Sequence, residues 1–185
     1  ATGNNFARES FMDELAAAAG SDPLEFRLAH LENKRLRAVH EEAAKNIKWS
    51  ERRSNPTPER GGGLACGTEK NTVVAAGVEV AVERTKGSIE VTEVCDACEC
   101  GPILNPDNLR SQVQGCIVMG LGGALTEEVE FQDGKILNAS FSRYRVPRFA
   151  DVPKIEIHLI NKPDIPSAGG GETPIIAVAP AIGNA

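Results

Sequence analysis

The C-terminal part of the chain places a single acid directly after a run of glycines. Residues 169–171 are all glycine, Glu172 follows them, and Thr173-Pro174 then opens an apolar run. Glycine lets a ligand reach the backbone N–H groups that the first turn of a helix leaves unpaired, where the helix dipole favours an anion. A carboxylate at the same place is suited to accept a proton as a general base. For these residues taken alone, a flexible loop before a capped helix is the simpler alternative.

Two phosphate-binding motifs are excluded for this stretch. A Walker-type loop needs a Lys after its glycines, and none is present here. A Rossmann fingerprint needs the glycines to follow a strand within a βαβ unit, and these do not. Any chemistry of this stretch therefore depends on Glu172 and the bare backbone before it.

Three of the five cysteines form a second candidate site. Cys95, Cys98 and Cys100 have the C-x-x-C-x-C spacing of some zinc and iron–sulfur sites. A closed site needs a fourth ligand, but Cys66, Cys116 and the three histidines lie at no ligand spacing from the cluster. We expect reduced thiols packed in a core and no metal, with a small thiol–zinc domain as the alternative.

The composition limits the classes of protein to which the chain can belong. Its 185 residues suit one domain or a large piece of a bigger one, and 41% hydrophobic residues suffice for a packed core. The net charge of −6 argues against nucleic-acid binding, since phosphate contacts need clustered Lys and Arg. No apolar run reaches membrane-spanning length. We therefore expect neither a nucleic-acid partner nor a membrane span.

The first part of the sequence has the signals of consecutive helices. Asn4 and Asn5 are candidate N-caps for FARESFMDELAAAAG, and Gly20 is a candidate C′ residue. Asp22-Pro23-Leu24-Glu25 has the pattern of a capping box with Pro at the first helical position. A third helix is predicted from about Leu36 to Ile47.

The rest of the chain has a β-rich pattern around one long helix. VVAAGVEVAVER and SIEVTEVCDAC predict a hairpin around Thr85-Lys86-Gly87, and VEFQDGKILNAS a shorter one around Asp133-Gly134. KIEIHLIN is a further predicted strand. NLRSQVQGCIVMGLGGALTEEV is predicted to be a helix whose glycines allow close packing on a neighbour. The last helix is predicted to start at Thr173 or Pro174.

These patterns predict an α+β fold, in which a helical N-terminal segment is followed by a mixed or antiparallel sheet with a long Gly-rich helix. We divide the chain into a helical segment at residues 1–50, a linker at 51–62 and an incomplete α+β subdomain at 63–185. Trp49 is expected to pack at the start of the polar, Pro-rich and Gly-rich loop.

Three motifs follow one another along the chain: CECGPILNPDNLRSQVQGCIVMGLGGALTEE, then SFSRYRVPRF, then GGGETP. Together they resemble the molybdenum-binding large subunit of the xanthine dehydrogenase and aldehyde oxidase family, and more closely its isoquinoline 1-oxidoreductase-like branch. The opening TGNNFARESFMDELAAAAGSDPLEFRL resembles the helix pair that follows an Arg-x-x-Gly motif in that family. Because the resemblance extends along nearly the whole chain, it is more specific than any single motif.

The resemblance implies roles for four residues. Glu172 falls on the family's catalytic glutamate, which acts as a general base at the molybdenum centre. Gln112 falls on a glutamine that hydrogen-bonds the molybdopterin cofactor, although its sequence alone would suggest an exposed helical residue. Gly170 and Gly171 are implied to leave room for the metal centre beside the backbone. The implied cofactor is molybdenum–molybdopterin in its cytosine dinucleotide form, with iron–sulfur clusters on a partner subunit.

Other polar residues have several possible roles. Tyr144 and the arginines at positions 143, 145 and 148 could line a substrate channel, contact the cofactor's phosphates, or form ion pairs within an irregular segment. His30, His40 and His158 are expected at surface or helix-end positions.

The resemblance also predicts what this chain lacks. The Gly-Gln-Gly and Phe-bearing loops that cradle the cofactor in the family are absent, and the Arg of the Arg-x-x-Gly motif would stand just before Ala1. We therefore expect the C-terminal portion of a hydroxylase large subunit that acts on an N-heterocycle or aldehyde with water as the oxygen source. Its expected partners are the remaining part of the molybdenum subunit and a small [2Fe-2S] subunit. The chain alone is expected to be inactive; a non-catalytic binding or interaction domain is the alternative.

Overall fold

The computed structural model describes all 185 residues and contains six α-helices and six β-strands. The helices are α1 (Thr2–Ala18), α2 (Pro23–His30), α3 (Lys34–Asn46), α4 (Trp49–Ser54), α5 (Pro106–Leu125) and α6 (Ile175–Asn184). The strands are β1 (Arg60–Glu69), β2 (Thr72–Glu83), β3 (Ser88–Glu99), β4 (Phe131–Gln132), β5 (Lys135–Ile136) and β6 (Lys154–Leu159).

The predicted ends of the N-terminal helices are confirmed with one exception. The Asp22 side chain caps α2 by accepting hydrogen bonds from two backbone N–H groups of its first turn. Gly20 follows α1 with a φ of +63°, as a C′ residue does. The prediction that Asn4 and Asn5 cap α1 is wrong, because the helix already begins at Thr2. Asn5 is instead buried, and its Nδ2 donates to the backbone oxygens of Cys66 and Ile176 at 3.3 Å and 2.7 Å.

The segment predicted as a linker contains regular structure. Helix α4 extends to Ser54, and β1 begins at Arg60. Trp49 is buried at the start of α4, where its Nε1 donates to the Asp22 carboxylate at 3.0 Å, so its predicted packing role is confirmed. The division of the chain into three parts stays a prediction.

Four strands form one mixed sheet in the order β1-β2-β3-β6. The first three are antiparallel neighbours, whereas β6 pairs in parallel with β3. The predicted hairpins β2–β3 and β4–β5 are confirmed. The β1–β2 turn is Lys70-Asn71, and both residues have positive φ, 50° and 65°, which is typical of a two-residue type I′ turn.

Helices cover both faces of this sheet, which confirms the predicted α+β class. One face packs against α5 and α6, and the other packs against α3. The Gly-rich helix approaches its neighbour most closely at Gly120, where a Cβ would lie 2.7 Å from the Cβ of Val178 on α6. The prediction that α5 packs closely on another element is therefore confirmed at this position.

Between α5 and β6 the chain leaves the core. None of residues 126–153 is buried, and the segment contains only β4, β5 and a short 3-10 turn. Three of its aromatic side chains are almost entirely exposed: Phe131 at 74%, Phe141 at 98% and Phe149 at 100%. As for membranes, the chain has no helix with both the length and the apolar character needed to span one.

Candidate active site

The glycine loop lies across the N-terminal half of α5. A Cβ built on Gly171 would lie 3.7 Å from Oε1 of Gln112. One helical turn further along α5, the Cys116 thiol donates to the backbone oxygen of Gly171 at 3.3 Å. Residues four apart lie on one face of a helix, so Gln112 and Cys116 both meet the loop. The structure thus brings together two residues that the sequence analysis selected from segments about sixty positions apart.

The glycines of the loop have different surroundings. A Cβ on Gly170 would lie 2.5 Å from Cδ1 of Leu109 and 3.6 Å from Sγ of Cys100, so a side chain there would force the end of the Leu109 side chain to move. Around Gly169 there is no atom within 4 Å of a built Cβ, and around Gly171 only Gln112 is near. Open space beside the backbone is therefore found at Gly169 and Gly171.

The backbone of the loop presents unpaired donors. The N–H groups of residues 169–173 make no hydrogen bond within the chain. The first turn of α6 differs, because the N–H groups of Ile175 and Ile176 bond to the carbonyls of Glu172 and Thr173 at 3.3 Å and 3.1 Å. The helix begins at Ile175 after Pro174, slightly later than predicted. Unpaired N–H groups next to bare glycine suit an anionic or oxygen-rich ligand.

The Glu172 carboxylate is 65% exposed and forms an ion pair with the Lys70 ammonium. Lys70 lies in the β1–β2 turn, which touches the loop on both sides of Glu172. The Thr72 hydroxyl donates to the Gly169 carbonyl at 2.9 Å, and the Thr173 hydroxyl donates to the Glu69 carbonyl at 3.3 Å. Neither Lys70 nor Thr72 was predicted to belong to the site. Strand β1 was not predicted, so the β1–β2 hairpin that presents these two residues was not predicted either.

Buried ionisable groups lie beneath the loop. Burial raises the pKa of the Cys100 and Cys116 thiols, which disfavours their thiolate forms. Asp96 on β3 is fully buried, and neither of its carboxyl oxygens has a hydrogen-bond partner. Burial raises the pKa of Asp96 well above its ordinary value.

The clustered cysteines do not form a common site. Side chains alternate along a strand, so Cys95 packs with Ile47 and Leu64 on the α3 side, whereas Cys98 lies in the core beneath α5 and α6. All five cysteines are free and buried. Burial, with Glu156 as the next contributor, raises the pKa of Cys95 to about 12.

One mixed group of possible metal ligands exists on the α3 side of the sheet. Ligand atoms of Glu93, Cys95 and Glu156 lie within 4.8 Å of one another. Both carboxylates already have cationic partners: Lys154 contacts Glu93 and Glu156 at 2.8 Å and 2.6 Å, and Arg52 contacts Glu93 at 2.5 Å. The group is therefore accounted for as an ion-pair network.

The polar residues of SRYRVPRF mainly hold their own segment together. The Tyr144 hydroxyl pairs with Glu127, and an Arg143 guanidinium nitrogen donates to the Leu137 carbonyl at 2.9 Å. Arg145 and Arg148 form no ion pair. None of the three arginines forms the predicted ion pairs, and the roles in a substrate channel or in phosphate contact stay predictions.

The histidines occupy three different environments. His30 is exposed at the end of α2, as predicted, and His158 is partly exposed on β6 near Glu42 and Glu156. The prediction for His40 is wrong, because this residue is fully buried in α3 with both ring nitrogens unpartnered. Burial, followed by the charge of Arg27, lowers the pKa of His40 to about 3.

A family profile described as the molybdopterin cofactor-binding domain matches residues 7–153. The chain belongs to this family. The resemblance to molybdenum-binding oxidoreductase subunits is thereby confirmed.

Curated relatives of this molybdopterin cofactor-binding domain are subunits of oxidoreductases. The chain is 34% identical over 185 residues to the beta subunit of isoquinoline 1-oxidoreductase from Brevundimonas diminuta, covering 97% of the chain and 23% of that protein. It is 31% identical over 196 residues to a nicotinate dehydrogenase subunit from Pseudomonas putida, covering 98% of the chain and 16% of that protein. The chain therefore spans about a quarter or less of these relatives.

Solved structures support the same fold. The aldehyde oxidoreductase from Desulfovibrio gigas superposes with a TM-score of 0.81 over 98% of the chain and 38% of that structure, at 15% sequence identity. Identity this low supports the fold alone. The two residues that the geometry brings together, Gln112 and Gly171, lie within this shared architecture.

Proposed function

We propose that this chain is the C-terminal portion of the large subunit of a molybdenum hydroxylase, and that Glu172 is its general base. The observation that supports this most directly is the approach of Gln112 to Gly171 beside the Glu172 carboxylate. The family assignment gives the cofactor class, and the open backbone at Gly169 and Gly171 is compatible with a bulky group placed against it.

The residues present fit such a group by their chemistry. When bound, the molybdenum–molybdopterin cofactor supplies the redox chemistry and the route by which oxygen from water reaches the substrate. Gln112 offers an amide N–H and a carbonyl to the cofactor, and the free N–H groups of residues 169–173 offer donors to its oxygen-rich parts. Gly170 and Gly171 are proposed to leave the backbone bare beside this group, and at Gly170 the end of the Leu109 side chain also lies close.

Glu172 has the properties that a base needs. Its carboxylate is accessible, and it is held next to the open backbone by the loop contacts of Thr72 and Thr173. In the proposed role it accepts a proton at a carboxylate oxygen while the substrate carbon is attacked. A positioned base of this kind typically contributes about a hundredfold to ten-thousandfold in rate.

The proposal extends to the cofactor form, the partners and the substrate. We infer the cytosine dinucleotide form of molybdopterin, and iron–sulfur clusters on a small [2Fe-2S] subunit. The substrate is inferred to be an N-heterocycle or an aldehyde. The names of the relatives support these inferences, since they include an isoquinoline oxidoreductase and a nicotinate dehydrogenase.

The exposed aromatic side chains of the segment 126–153 support a further part of the proposal. We infer that Phe131, Phe141 and Phe149 pack against the remaining part of the molybdenum subunit, because three largely exposed aromatic side chains in one segment without buried residues favour an interface. The same surface supports the alternative function, a non-catalytic interaction domain. The two functions differ in whether a complex with the remaining part turns over substrate.

The test of the proposed function is Glu172→Gln in the complete large subunit assembled with its partner. We expect turnover of a heterocycle, measured by dye reduction, to fall by about a hundredfold or more while bound molybdenum stays unchanged. Glu90→Gln is the matched control, because Glu90 is an exposed acid on β3 without an ion pair. Retained turnover in Glu172→Gln would refute the assigned role, and assembly without any turnover in the wild type would favour the interaction domain.

A further inference from the structure

We propose that Lys70 is a positioning residue for Glu172: its ammonium, presented by the β1–β2 turn, orients the carboxylate and favours its ionised form. The role of Lys70 in catalysis rests on the proposed function, whereas the contact between Lys70 and Glu172 is independent of that proposal. Lys70 is the only basic residue that forms an ion pair with Glu172. Its turn is separated from Glu172 by about a hundred residues of sequence, so only the fold brings them together.

The turn that presents Lys70 is fixed from the side of α3. The guanidinium of Arg35 donates to the Asn71 carbonyl at 2.8 Å. The same guanidinium makes a two-point contact with the Glu99 carboxylate, at 2.5 Å and 2.9 Å, and that carboxylate is almost completely buried. Two-point contacts between Arg and a carboxylate fix geometry as well as charge. The backbone next to Lys70 is therefore held by a buried anchor.

The turn is also fixed from the side of the glycine loop. The Thr68 hydroxyl donates to the Thr72 carbonyl at 3.0 Å across the turn, and the Thr72 hydroxyl donates to Gly169. Thr173 returns a hydrogen bond to Glu69. The loop is thus held to the hairpin on both sides of Glu172, and the Lys70 ammonium reaches the carboxylate between these two contacts.

Other charged groups near Glu172 are few. The hairpin contributes Lys70 and the acid Glu69, and α6 carries no charged residue. Arg35 on α3 and Glu99 on β3 form an ion pair next to Asn71. The thiols of Cys100, directly after β3, and of Cys116 on α5 have pKa values that burial raises. Among these charged groups Lys70 is the one that forms an ion pair with the Glu172 carboxylate, and a cation in contact with an acid favours its ionised form.

The first test measures the carboxylate directly in this chain. The Glu172 side-chain carboxyl is followed by NMR as a function of pH in wild type, Lys70→Met and Lys70→Arg. The side chains of Lys70 and Glu172 are both mostly exposed. We therefore expect Lys70→Met to raise the midpoint of the Glu172 titration by only about a few tenths of a pH unit, and Lys70→Arg to restore that midpoint. Lys86→Met is the matched control, since Lys86 lies in the β2–β3 turn and forms no ion pair.

The outcomes are distinguishable. Equal midpoints in wild type and Lys70→Met, with the backbone amide spectrum showing an intact fold, would overturn the inference. An equal shift in Lys86→Met would overturn it as well, because the effect would then be one of net charge. A shift specific to position 70 supports it whether or not the chain belongs to an active hydroxylase.

The second test uses the complete enzyme. We expect Lys70→Met to move the acid limb of the kcat/KM profile to higher pH while bound molybdenum is unchanged, and Lys70→Arg to restore the profile. If Glu172→Gln abolishes turnover but the Lys70→Met profile matches wild type, Lys70 has no such role and Glu172 keeps its own. If Glu172→Gln retains turnover, the proposed function fails, while the NMR titration still tests whether Lys70 acts on the Glu172 carboxylate.

Discussion

At the scale of single residues, two buried ionisable groups act on stability in opposite directions. Asp96 stands between Ala76 and Ile157 in the sheet, on the side covered by α5 and α6, and has no hydrogen-bond partner. Its raised pKa means that the native protein keeps a proton that the unfolded chain releases, so the free energy of unfolding falls as pH rises above 3.8. His40 does the reverse: with a pKa of about 3, it lowers stability as pH falls below 6.5.

Asp96→Val should therefore stabilise the chain. Removing an unpartnered buried carboxyl group is expected to raise the free energy of unfolding by about 1–3 kcal/mol in acid, where both states are protonated. The gain should be larger at neutral pH, because the wild type then also loses stability through the titration of Asp96. Urea unfolding at about pH 3, below the ordinary pKa of an Asp, and at about pH 7.5 measures both gains.

The comparison contains its own controls. His40 is present in both proteins, so its pH dependence cancels in the difference. Asp164→Val, at an exposed position, should change stability by no more than about 0.5 kcal/mol at either pH. A destabilised Asp96→Val protein would show that the carboxyl group has a stabilising partner.

The sequence predicted part of the candidate site, and the part it missed has a physical reason. Gln112, Gly171 and Glu172 were selected through motifs, and the fold brings Gln112 and Gly171 into contact. Lys70 could not be selected, because a single exposed Lys in a turn carries no local signal and its partner lies far away in the chain. At Gly170 a Cβ would meet the end of the Leu109 side chain, a contact that the motif did not predict, and its role beside the cofactor stays a prediction.

At the scale of elements, the glycines of α5 fall into two kinds. A Cβ at Gly120 would collide with Val178 on α6, whereas a Cβ at Gly115 or Gly123 would meet no atom within 4 Å. Gly120 is thus explained by helix packing inside this chain. Gly115 and Gly123 leave α5 with bare backbone on a face that nothing in the chain covers.

Alanine substitutions at these positions should have opposite effects. Gly115→Ala should raise the free energy of unfolding by up to about 1 kcal/mol, because Ala has the higher helix propensity and the site has room. Gly120→Ala has the same intrinsic gain but overpacks the contact with Val178, so it should be less stable than Gly115→Ala by about 1–3 kcal/mol. Chemical unfolding of the two variants measures this difference, and equal stabilities would show that α5 and α6 can separate without cost.

Elements with local signals were predicted better than elements that depend on distant partners. The β2–β3 hairpin has alternation and turn residues within its own sequence, and α5 has a long run of small and apolar residues. Both were predicted, although α5 begins at Pro106, two residues before the predicted start at Asn108. Strand β1 was not predicted, because Gly61 and Gly63 look like loop residues in the sequence. In the fold, a Cβ at either position would collide with the backbone of α6 or of Ala185 directly after it. Asn5 was misassigned as a cap for the same reason, since its partner Ile176 lies at the other end of the chain.

At the scale of the whole molecule, the chain has a well-packed frame and an uncovered side. The sheet with α3, α5 and α6 holds most of the buried residues, whereas residues 126–153 include none. The glycine loop and the open face of α5 also face outward. Since the curated relatives are at least about four times longer, we infer that the cofactor contacts missing here are supplied by other segments.

The 185-residue chain alone should accordingly have no hydroxylase activity and little affinity for the molybdopterin cofactor. Gln112, Gly171 and the loop N–H groups provide one wall of a site, and one wall excludes too little water to bind the cofactor tightly. Metal analysis and dye-reduction assays of the purified chain measure both properties. Stoichiometric molybdenum retained through purification would contradict this prediction.

The left-handed backbone of the β1–β2 turn has a consequence for its residue choice. Position 70 has a φ of 50°, a region that glycine adopts freely but that costs a residue with a Cβ about 1–2 kcal/mol. Glycine at position 70 would therefore make a more stable hairpin, and Lys at this position lowers the folding stability of the chain. If the Lys70–Glu172 contact serves the site, the stability of the turn and the function of the site favour different residues at position 70. A thermostabilised variant with glycine there would lose the ammonium beside Glu172.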